Sequence, residues 1–319
     1  MTILVCGEAL YDVFQTGAAD DGSLTFDARV GGSPFNVAIG IARQGGKAAF
    51  LTGISKDLLG QRLVARLETE GVDTRHIIRS GRRTTLSLVG LDAQGHPDYA
   101  FYGVGSADVS VTVQDMPVLP DSIEALHFGS YAIAVPPAAD AYAQLAERYQ
   151  DRFLSLDPNI RPTIEPDMGV WRARIDRMRV HCNLIKVSVE DLDMLYPGHA
   201  PDQIARDWLH NQTELVIVTD GANGARAFSA REELAVPGKQ IAVVDTVGAG
   251  DSFHATTLQG LQARNVFTHG AGWAASIELG DLLARSVNAS AIVCGRVGAD
   301  MPSAREIDHQ IGYRERRSG

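Results

Sequence analysis

Cysteine is scarce in this sequence. Its 319 residues include only three cysteines, Cys6, Cys182 and Cys294, which are far apart and odd in number. This pattern excludes a disulfide framework and a cysteine-rich zinc site, and it suits a reducing compartment. The nine histidines show no His-x-x-x-His spacing, which is the commonest helical zinc-binding arrangement. We therefore expect a cytoplasmic protein without a zinc site.

Long hydrophobic runs are also absent. The longest runs, such as Leu-Val-Ile-Val at 215–218, are far shorter than the ~20 residues that span a bilayer. The opening sequence MTILVCGEAL has neither the basic region nor the apolar stretch of a signal peptide. The sequence therefore predicts neither a membrane segment nor a secretion signal.

Basic residues are outnumbered by acidic ones. The 29 Lys and Arg against 39 Asp and Glu give a formal net charge of −10 and a pI near 5.3. This balance disfavours a broad surface for nucleic acid or anionic membranes, although one cleft could still bind a small anion. Hydrophobic residues make up 45% of the chain, as in ordinary globular proteins. We expect a single domain over residues 1–319.

Short apolar segments alternate with helical patterns along most of the chain. The predicted strands are 3–7, 48–54, 125–130, 153–159, 183–188 and 214–221. The predicted helices are 36–46, 57–71, about 137–150, about 167–180 and 201–212. This alternation is typical of βαβ units around a parallel sheet, the α/β class. In such sheets ligands bind beyond the carboxyl ends of the strands.

Two segments interrupt the alternation. Residues 11–32 and 82–103 contain strand-like pieces with no helix between them. We interpret them as a small antiparallel sheet that projects from the body and covers a site, since closure excludes water from reactive intermediates. The alternative is an edge extension of the main sheet.

The strongest local motif lies at 243–261, VVDTVGAGDSFHATTLQGL. A predicted strand at 241–244 leads into Gly248, Ala249 and Gly250, and then into a predicted helix. Converging backbone N–H groups at a helix N-terminus favour an anion, so this turn predicts a phosphate or oxyanion cradle. Asp251 is an unsuitable phosphate ligand. It could instead be a base that accepts a proton from a hydroxyl, or it could only cap the helix.

Two motifs together resemble one protein family. DTVGAGDSF at 245–253 is similar to the C-terminal signature of the ribokinase-like (PfkB) carbohydrate kinases, and residues 31–63 resemble their N-terminal signature. The similarity runs from GEALYD at 7–12 to GADMP at 298–302. The resemblance implies a three-layer α/β/α domain with a mainly parallel central sheet and a small β-sheet lid.

The resemblance also implies roles on the catalytic side. The family's aspartate in Gly-Ala-Gly-Asp is the catalytic base, which supports that role for Asp251. The backbone of Gly248, Ala249 and Gly250 would form the hole for charge on the transferred phosphoryl group. Asp12 resembles the aspartate that holds sugar hydroxyls, with a turn aspartate as the alternative.

Further residues resemble the family's sugar-facing positions. Asn36 would contact the sugar or only cap the following helix, and Arg161 would lie near sugar or phosphate or in a structural salt bridge. The remaining expected substrate contacts are Gly31, Gly32, Phe101, Asp157 and Asn159.

Nucleotide contacts are implied by shorter motifs. TDGANGA at 219–225 resembles the family's turn near the ATP phosphates, and residues 286–302 would cover the adenine side and include a loop for a monovalent cation such as K⁺. Glu190 matches the family's glutamate that organises Mg²⁺ through water, although Val187 replaces the expected asparagine. The expected nucleotide contacts are Lys186, Thr219, Gly221, Gly224, Gly248, Gly250 and Asn288.

These features together predict an ATP-dependent sugar kinase that acts on a primary hydroxyl. GEALYD, DPNIRP at 157–162 and FYGVGSAD at 101–108 favour fructose as the acceptor. Sugar acids such as 2-keto-3-deoxygluconate, and then ribose or nucleosides, are alternatives. A non-catalytic sugar- or nucleotide-binding regulator is the alternative from another class. By analogy with the family we expect a homodimer.

Overall fold

An eight-stranded sheet occupies the centre of the computed structural model, which describes residues 1–91, 97–210, 212–268 and 270–315. The strands in chain order are β1 (Thr2–Cys6), β2 (Leu10–Ala18), β3 (Leu24–Gly31), β4 (Ala48–Leu51), β5 (Gly53–Ser55), β6 (Ile78–Ser80), β7 (Thr85–Leu91), β8 (Pro97–Tyr102), β9 (Ile123–Gly129), β10 (Phe153–Asp157), β11 (Leu184–Ser188), β12 (Leu215–Thr219), β13 (Gly224–Ser229) and β14 (Glu233–Pro237). The helices are α1 (Ser33–Arg43), α2 (Leu58–Thr69), α3 (Ala138–Arg148), α4 (Met168–Arg179), α5 (Val189–Leu195), α6 (Pro201–Trp208), α7 (Ala249–Ala263), α8 (Leu279–Cys294) and α9 (Ala304–Glu315).

The central sheet has the strand order β14-β13-β12-β11-β10-β9-β1-β4. Its strands run parallel from β12 to β4, whereas β13 and β14 form an antiparallel extension at one edge. The register aligns Leu4 with Leu126 and Leu126 with Leu154 on neighbouring strands. The prediction of a mainly parallel α/β sheet is therefore confirmed.

Helices cover both faces of this sheet. Leu4 and Cys6 belong to the core that α3, α4, α5 and α6 cover, whereas Ile3 and Val5 belong to the core that α1, α2, α7 and α8 cover. Successive residues of a strand point to opposite faces, and burial of both faces explains why these strands are continuous apolar runs. The three-layer α/β/α arrangement is confirmed. Within the described ranges, every helix is too short or too polar to cross a lipid bilayer.

A separate sheet, called the small sheet below, contains β3, β2, β7 and β8 in that order. The pairs β2–β3 and β7–β8 are antiparallel, but β2 and β7 run parallel, with Leu10 beside Thr85. The prediction of an antiparallel sheet is thus only partly right, because each hairpin leaves the body and returns while their first strands run in the same direction. The alternative of an extended main sheet is wrong. Residues 92–96, within the predicted range, lie outside the described residues.

The predicted strand at 241–244 is wrong. This segment has no strand pairing, and Val243 and Val244 are 63% and 57% exposed. Its backbone is held instead by a hydrogen bond from Val244 N to the carbonyl oxygen of Cys294. The edge of the sheet is already occupied by β14, and Ile241 and Val243 line a cavity. The apolar sequence therefore forms a cavity wall rather than a sheet strand.

The side chain of Asp57 joins α2 to the small sheet. Its Oδ1 accepts hydrogen bonds from Gly60 N at 2.7 Å, as the helix N-cap, and from Thr84 Oγ1 at 2.7 Å. Its Oδ2 accepts from Thr84 N at 3.0 Å, immediately before β7 begins. One carboxylate thus accepts hydrogen bonds from the first turn of α2 and from the residue that precedes β7.

We predict that Asp57→Ala lowers the free energy of unfolding by about 1–2 kcal/mol, because the cap and both Thr84 bonds are lost. Chemical denaturation of purified protein measures the change. Asp57→Asn keeps one acceptor oxygen and should lose less than the alanine variant. Equal stability of Asp57→Ala and wild type would contradict this role.

Candidate active site

A cavity of about 550 Å³ lies between the small sheet and the carboxyl ends of the central strands. We call it the first cavity. Glu8 follows β1, Ser130 follows β9 and Asn159 follows β10, as expected for a parallel α/β sheet. The small sheet contributes residues that alternate along β2 and β7, together with two adjacent residues of β8. These are Leu10, Asp12 and Phe14 from β2, Ser87 and Val89 from β7, and Ala100 and Phe101 from β8.

Asp251 lines the first cavity from the first turn of α7. It is 7% exposed, and its two carboxylate oxygens are held by different donors on α1. The Ser33 hydroxyl donates to Oδ1 at 2.6 Å, and Asn36 Nδ2 donates to Oδ2 at 2.8 Å. The carboxylate is therefore fixed in orientation by a second helix while it faces the cavity.

The two capping alternatives do not hold in the structure. Gly248 is the N-cap of α7 and adopts the left-handed region at φ 80°, so Asp251 is inside the helix and makes no cap hydrogen bond. Likewise α1 begins at Ser33 after Gly32, so Asn36 lies inside that helix. Asn36 contacts Asp251 directly and also lines the first cavity.

Two glycines allow the backbone to approach acidic residues closely. Gly32 has φ 105°, and a Cβ there would come 2.7 Å from the carbonyl oxygen of Glu8. A Cβ at Gly31 would come 2.3 Å from Asp12 Oδ2. Glycine is needed at Gly32 for its conformation and at Gly31 for space. Of the two, Gly32 lines the first cavity.

Asp12, Asn159 and Arg161 face the first cavity from opposite sides. Burial raises the pKa of Asp12, against the opposing effects of a hydrogen bond from Ser87 and the charge of Arg161. The Arg161 guanidinium donates to the carbonyl oxygen of Ile160 at 2.9 Å, and it makes no ion pair within the described part of the chain. The salt-bridge alternative for Arg161 is therefore not seen, and its charge faces the cavity.

Asp157 does not line the first cavity, contrary to the prediction that it forms part of the cleft floor. It is 1% exposed and forms a buried ion pair with Lys186, with Oδ2 to Nζ at 2.9 Å. Burial raises the pKa of Asp157, although the Lys186 ammonium opposes this effect. Its position below the cavity floor follows from its place inside β10, whereas Asn159 lies beyond the strand end.

Lys186 is buried below the first turn of α7 rather than exposed to a ligand. A Cβ built on Gly250 would lie 3.1 Å from its Nζ. Burial alone would lower the pKa of Lys186, but the carboxylates of Asp157, Asp191 and Asp251 raise it. The lysine therefore stays charged and adds positive potential beneath the glycine turn.

A second cavity of about 620 Å³ lies on the other side of that turn. Gly250 and Thr246 line both cavities, so the two meet at the start of α7. Ala249 lines the second cavity, as do several predicted nucleotide contacts. These are Thr219, Gly221 and Gly224, and the predicted metal-site residue Glu190 also lines this cavity.

Asn288 is not brought to either cavity. It is 3% exposed inside α8, and its neighbours Val287, Ser290 and Ala291 line the second cavity instead. The one-residue difference decides which face of the helix a side chain occupies. The position of Asn288 therefore gives no support to its predicted nucleotide contact.

Glu190 is exposed in the first turn of α5 and lines the second cavity. Within the described ranges, no three His, Cys, Asp or Glu side chains gather as a metal-binding group. A single carboxylate fits Mg²⁺ that arrives with nucleotide phosphates, because this ion keeps several waters and needs few protein ligands.

Two polar residues that contact the start of α1 or Asp251 are among those of the first cavity that sequence reasoning missed. Ser33 lies in the GGSPFN segment, but its partner Asp251 is 218 positions away, so no local pattern reveals the contact. Glu8 is 1% exposed, and its Oε1 accepts from Ser33 N at 3.2 Å. An acidic residue directly after a buried apolar strand was the available signal.

Comparisons with known proteins show the family of the chain. The pattern of the pfkB family carbohydrate kinases matches residues 2–305. The chain belongs to the PfkB family. The chain is 39% identical to a fructokinase of Rhizobium leguminosarum bv. trifolii over 267 residues, which are 83% of this chain and 81% of that protein. It is 32% identical to fructokinase-1 of Zea mays, covering 79% of this chain and 80% of that one.

Solved structures show the same fold. The structure of a fructokinase with bound ATP from Xylella fastidiosa superposes with a TM-score of 0.86 at 25% identity, covering 98% of this chain and 99% of that one. The protein is thus an ATP-dependent carbohydrate kinase of the fructokinase-like type. The fold and family predictions from sequence are confirmed.

The buried pair of this kinase gives a stability prediction. Lys186→Met leaves Asp157 buried without its counter-ion, which should cost about 3–5 kcal/mol in chemical denaturation. The double variant Lys186→Met with Asp157→Asn removes both charges and should recover much of that loss. An exposed ion pair contributes at most about 1 kcal/mol. If the free energy of unfolding of Lys186→Met is within that amount of wild type, the buried pair is unimportant for stability.

Proposed function

We propose that this kinase transfers the γ-phosphoryl group of ATP to a primary hydroxyl of fructose, with Asp251 as the general base. The observation that carries the proposal is the position of Asp251. Its carboxylate faces the first cavity, one residue from Gly250, where the first and second cavities meet. A sugar hydroxyl in the first cavity and a phosphate in the second would meet at this carboxylate.

The residues around Asp251 suit proton acceptance. Ser33 and Asn36 donate to its two oxygens, which hold the carboxylate while its remaining lone pairs are free for a hydroxyl proton. A positioned carboxylate that accepts the proton of the attacking hydroxyl is the usual base in phosphoryl transfer to alcohols. We therefore assign Ser33 and Asn36 to orienting the base.

The turn at 248–250 suits the developing negative charge. Its backbone N–H groups lie at the N-terminus of α7, where the helix dipole favours an anion. The buried, charged Lys186 adds to this potential from below. Glu190 would hold Mg²⁺ through water, and that ion supplies charge neutralisation for the phosphates.

The sugar would lie between the body and the small sheet. Asp12 would accept hydrogen bonds from two hydroxyls, and Asn159 and Arg161 would bind others from the opposite wall. Phe101 packs edge-on against Tyr131, with ring centroids 5.4 Å apart, and offers an apolar surface for a ring face. In this proposal the small sheet is the lid that excludes water.

The charges of the first cavity favour a neutral sugar over a sugar acid. Among the described residues its wall carries three acidic side chains, Glu8, Asp12 and Asp251, and one cation, Arg161. A buried carboxylate on the ligand would need a cationic partner to offset its desolvation.

Two arginines in or beside the small sheet, Arg29 in β3 and Arg83 shortly before β7, would serve a sugar acid only if they reached the first cavity. Arg29 pairs with Asp27 at 2.6 Å and stacks over the Phe14 ring at 5.4 Å. Arg83 lines a separate surface pocket with Arg82 and Tyr102. Neither arginine lines the first cavity, which supports fructose and weighs against 2-keto-3-deoxygluconate.

A panel of sugars tests the substrate. We expect ADP release with fructose at a kcat/KM at least about tenfold above that with 2-keto-3-deoxygluconate, a gap of about 1.4 kcal/mol in transition-state binding. Ribose and a nucleoside complete the panel. The reverse order would contradict fructose as the substrate but not the kinase activity. Phosphorylation of none of the sugars would contradict the proposed function.

The base is tested by Asp251→Asn. The amide keeps the size of the side chain but cannot accept the proton, so kcat should fall by roughly 10²–10⁴-fold with little change in the sugar KM. Asp12→Asn is a matched control, because it alters another acidic residue of the same cavity. It should act mainly on the sugar KM. More than a tenth of wild-type kcat in Asp251→Asn would exclude Asp251 as the base.

A further inference from the structure

Glu8 is a buried acidic residue of the first cavity that the proposed mechanism does not use. It lies between β1 and β2, is 1% exposed and lines the cavity together with Asp251. A carboxyl group this buried is uncommon unless it is paired or has a function. No cation forms an ion pair with it within the described part of the chain.

The two oxygens of this carboxyl group differ. Oε1 accepts a hydrogen bond from Ser33 N at 3.2 Å. Oε2 makes no hydrogen bond of ordinary geometry with any described residue, although the Ser130 hydroxyl lies beside the group. A buried polar atom without a partner costs free energy, and a ligand in the cavity could supply one.

The surroundings favour the neutral form of Glu8. Asp108 faces it from the segment after β8, Tyr131 from the turn after β9, Tyr142 from α3 and Arg161 from the segment after β10. Burial raises the pKa of Glu8 to about 8, and Asp108 adds to this, while Ser130 and Arg161 oppose it. Because Oε1 already accepts a hydrogen bond from Ser33 N–H, the acidic proton of the neutral form belongs on Oε2.

We propose that Glu8 acts as a neutral carboxylic acid whose Oε2–H donates a hydrogen bond to a hydroxyl oxygen of the acceptor sugar. This role rests on the proposed function, because it needs a sugar in the first cavity. It makes Glu8 a specificity-determining residue: Asp12 accepts from hydroxyl groups, and Glu8 donates to one. The neutral form also avoids a second negative charge close to Asp108.

The test compares wild type with Glu8→Gln and Glu8→Leu across pH. In wild type the fructose KM should rise about tenfold between pH 7 and pH 9, because only the protonated fraction binds fully. Glu8→Gln keeps an acceptor for Ser33 N–H and offers an N–H donor that does not ionise. We expect its KM to be about threefold above wild type at pH 7 and constant to pH 9. Glu8→Leu removes both functions and should raise KM at least tenfold at pH 7.

The far-UV circular dichroism of each variant is the control for folding, and its ATP KM is the control for the second cavity. Parallel pH profiles of wild type and Glu8→Gln would contradict the role of Glu8 while the kinase activity stands. A Glu8→Gln KM as high as that of Glu8→Leu at pH 7 would also contradict it, because a neutral donor at this position would then contribute nothing to sugar binding. If fructose is not turned over, the same profiles are measured with the best sugar of the panel. Phosphorylation of none contradicts the proposed function and, with it, this inference.

Discussion

The contact between α1 and Asp251 is the interaction on which the rest of the site depends. Ser33 and Asn36 come from the first turn of α1, and Asp251 comes from the first turn of α7, more than 200 positions later. The two helices pack side by side on one face of the sheet, with Gly40 close to Ala255. Because the hydrogen bonds join helix starts that are already fixed by packing, the carboxylate is oriented before any ligand arrives. Such preorganisation is what an efficient base requires.

The second constraint is the concentration of buried acidic groups at the carboxyl ends of the central strands. These acidic groups are stabilised in different ways. Asp157 is paired with Lys186, and Asp108 accepts hydrogen bonds from Thr85, Ser106 and Tyr131, each at 2.6 Å. Glu8 has one partner, and we infer that it is neutral. A buried charge without a partner would be too costly, so pairing, hydrogen bonding or neutralisation must compensate each one.

The small sheet is hydrogen-bonded to one of these buried acidic groups, Asp108. Its strand β7 begins at Thr85, whose hydroxyl donates to Asp108, and Asp108 in turn accepts from Tyr131 on the cavity wall. The start of β7 is therefore hydrogen-bonded, through Asp108, to the wall of the first cavity. Movement of the small sheet and the position of Tyr131 are expected to be coupled, because they share one buried carboxyl group.

The sequence by itself determined the α/β class and most strands and helices, because these follow from short-range periodicity. It also determined the family and the places of Asp12, Asn159, Arg161 and Asp251, because these follow from contiguous motifs. It misassigned residues 241–244, since an apolar run that lines a cavity has the same composition as a strand. Only the tertiary structure decided that Asp157 pairs with Lys186 below the floor, that Asn288 points away from the second cavity, and that Ser33 and Glu8 belong to the site. Burial and pairing between distant segments set these roles, and among them only Glu8, an acidic residue after an apolar strand, had a local signal.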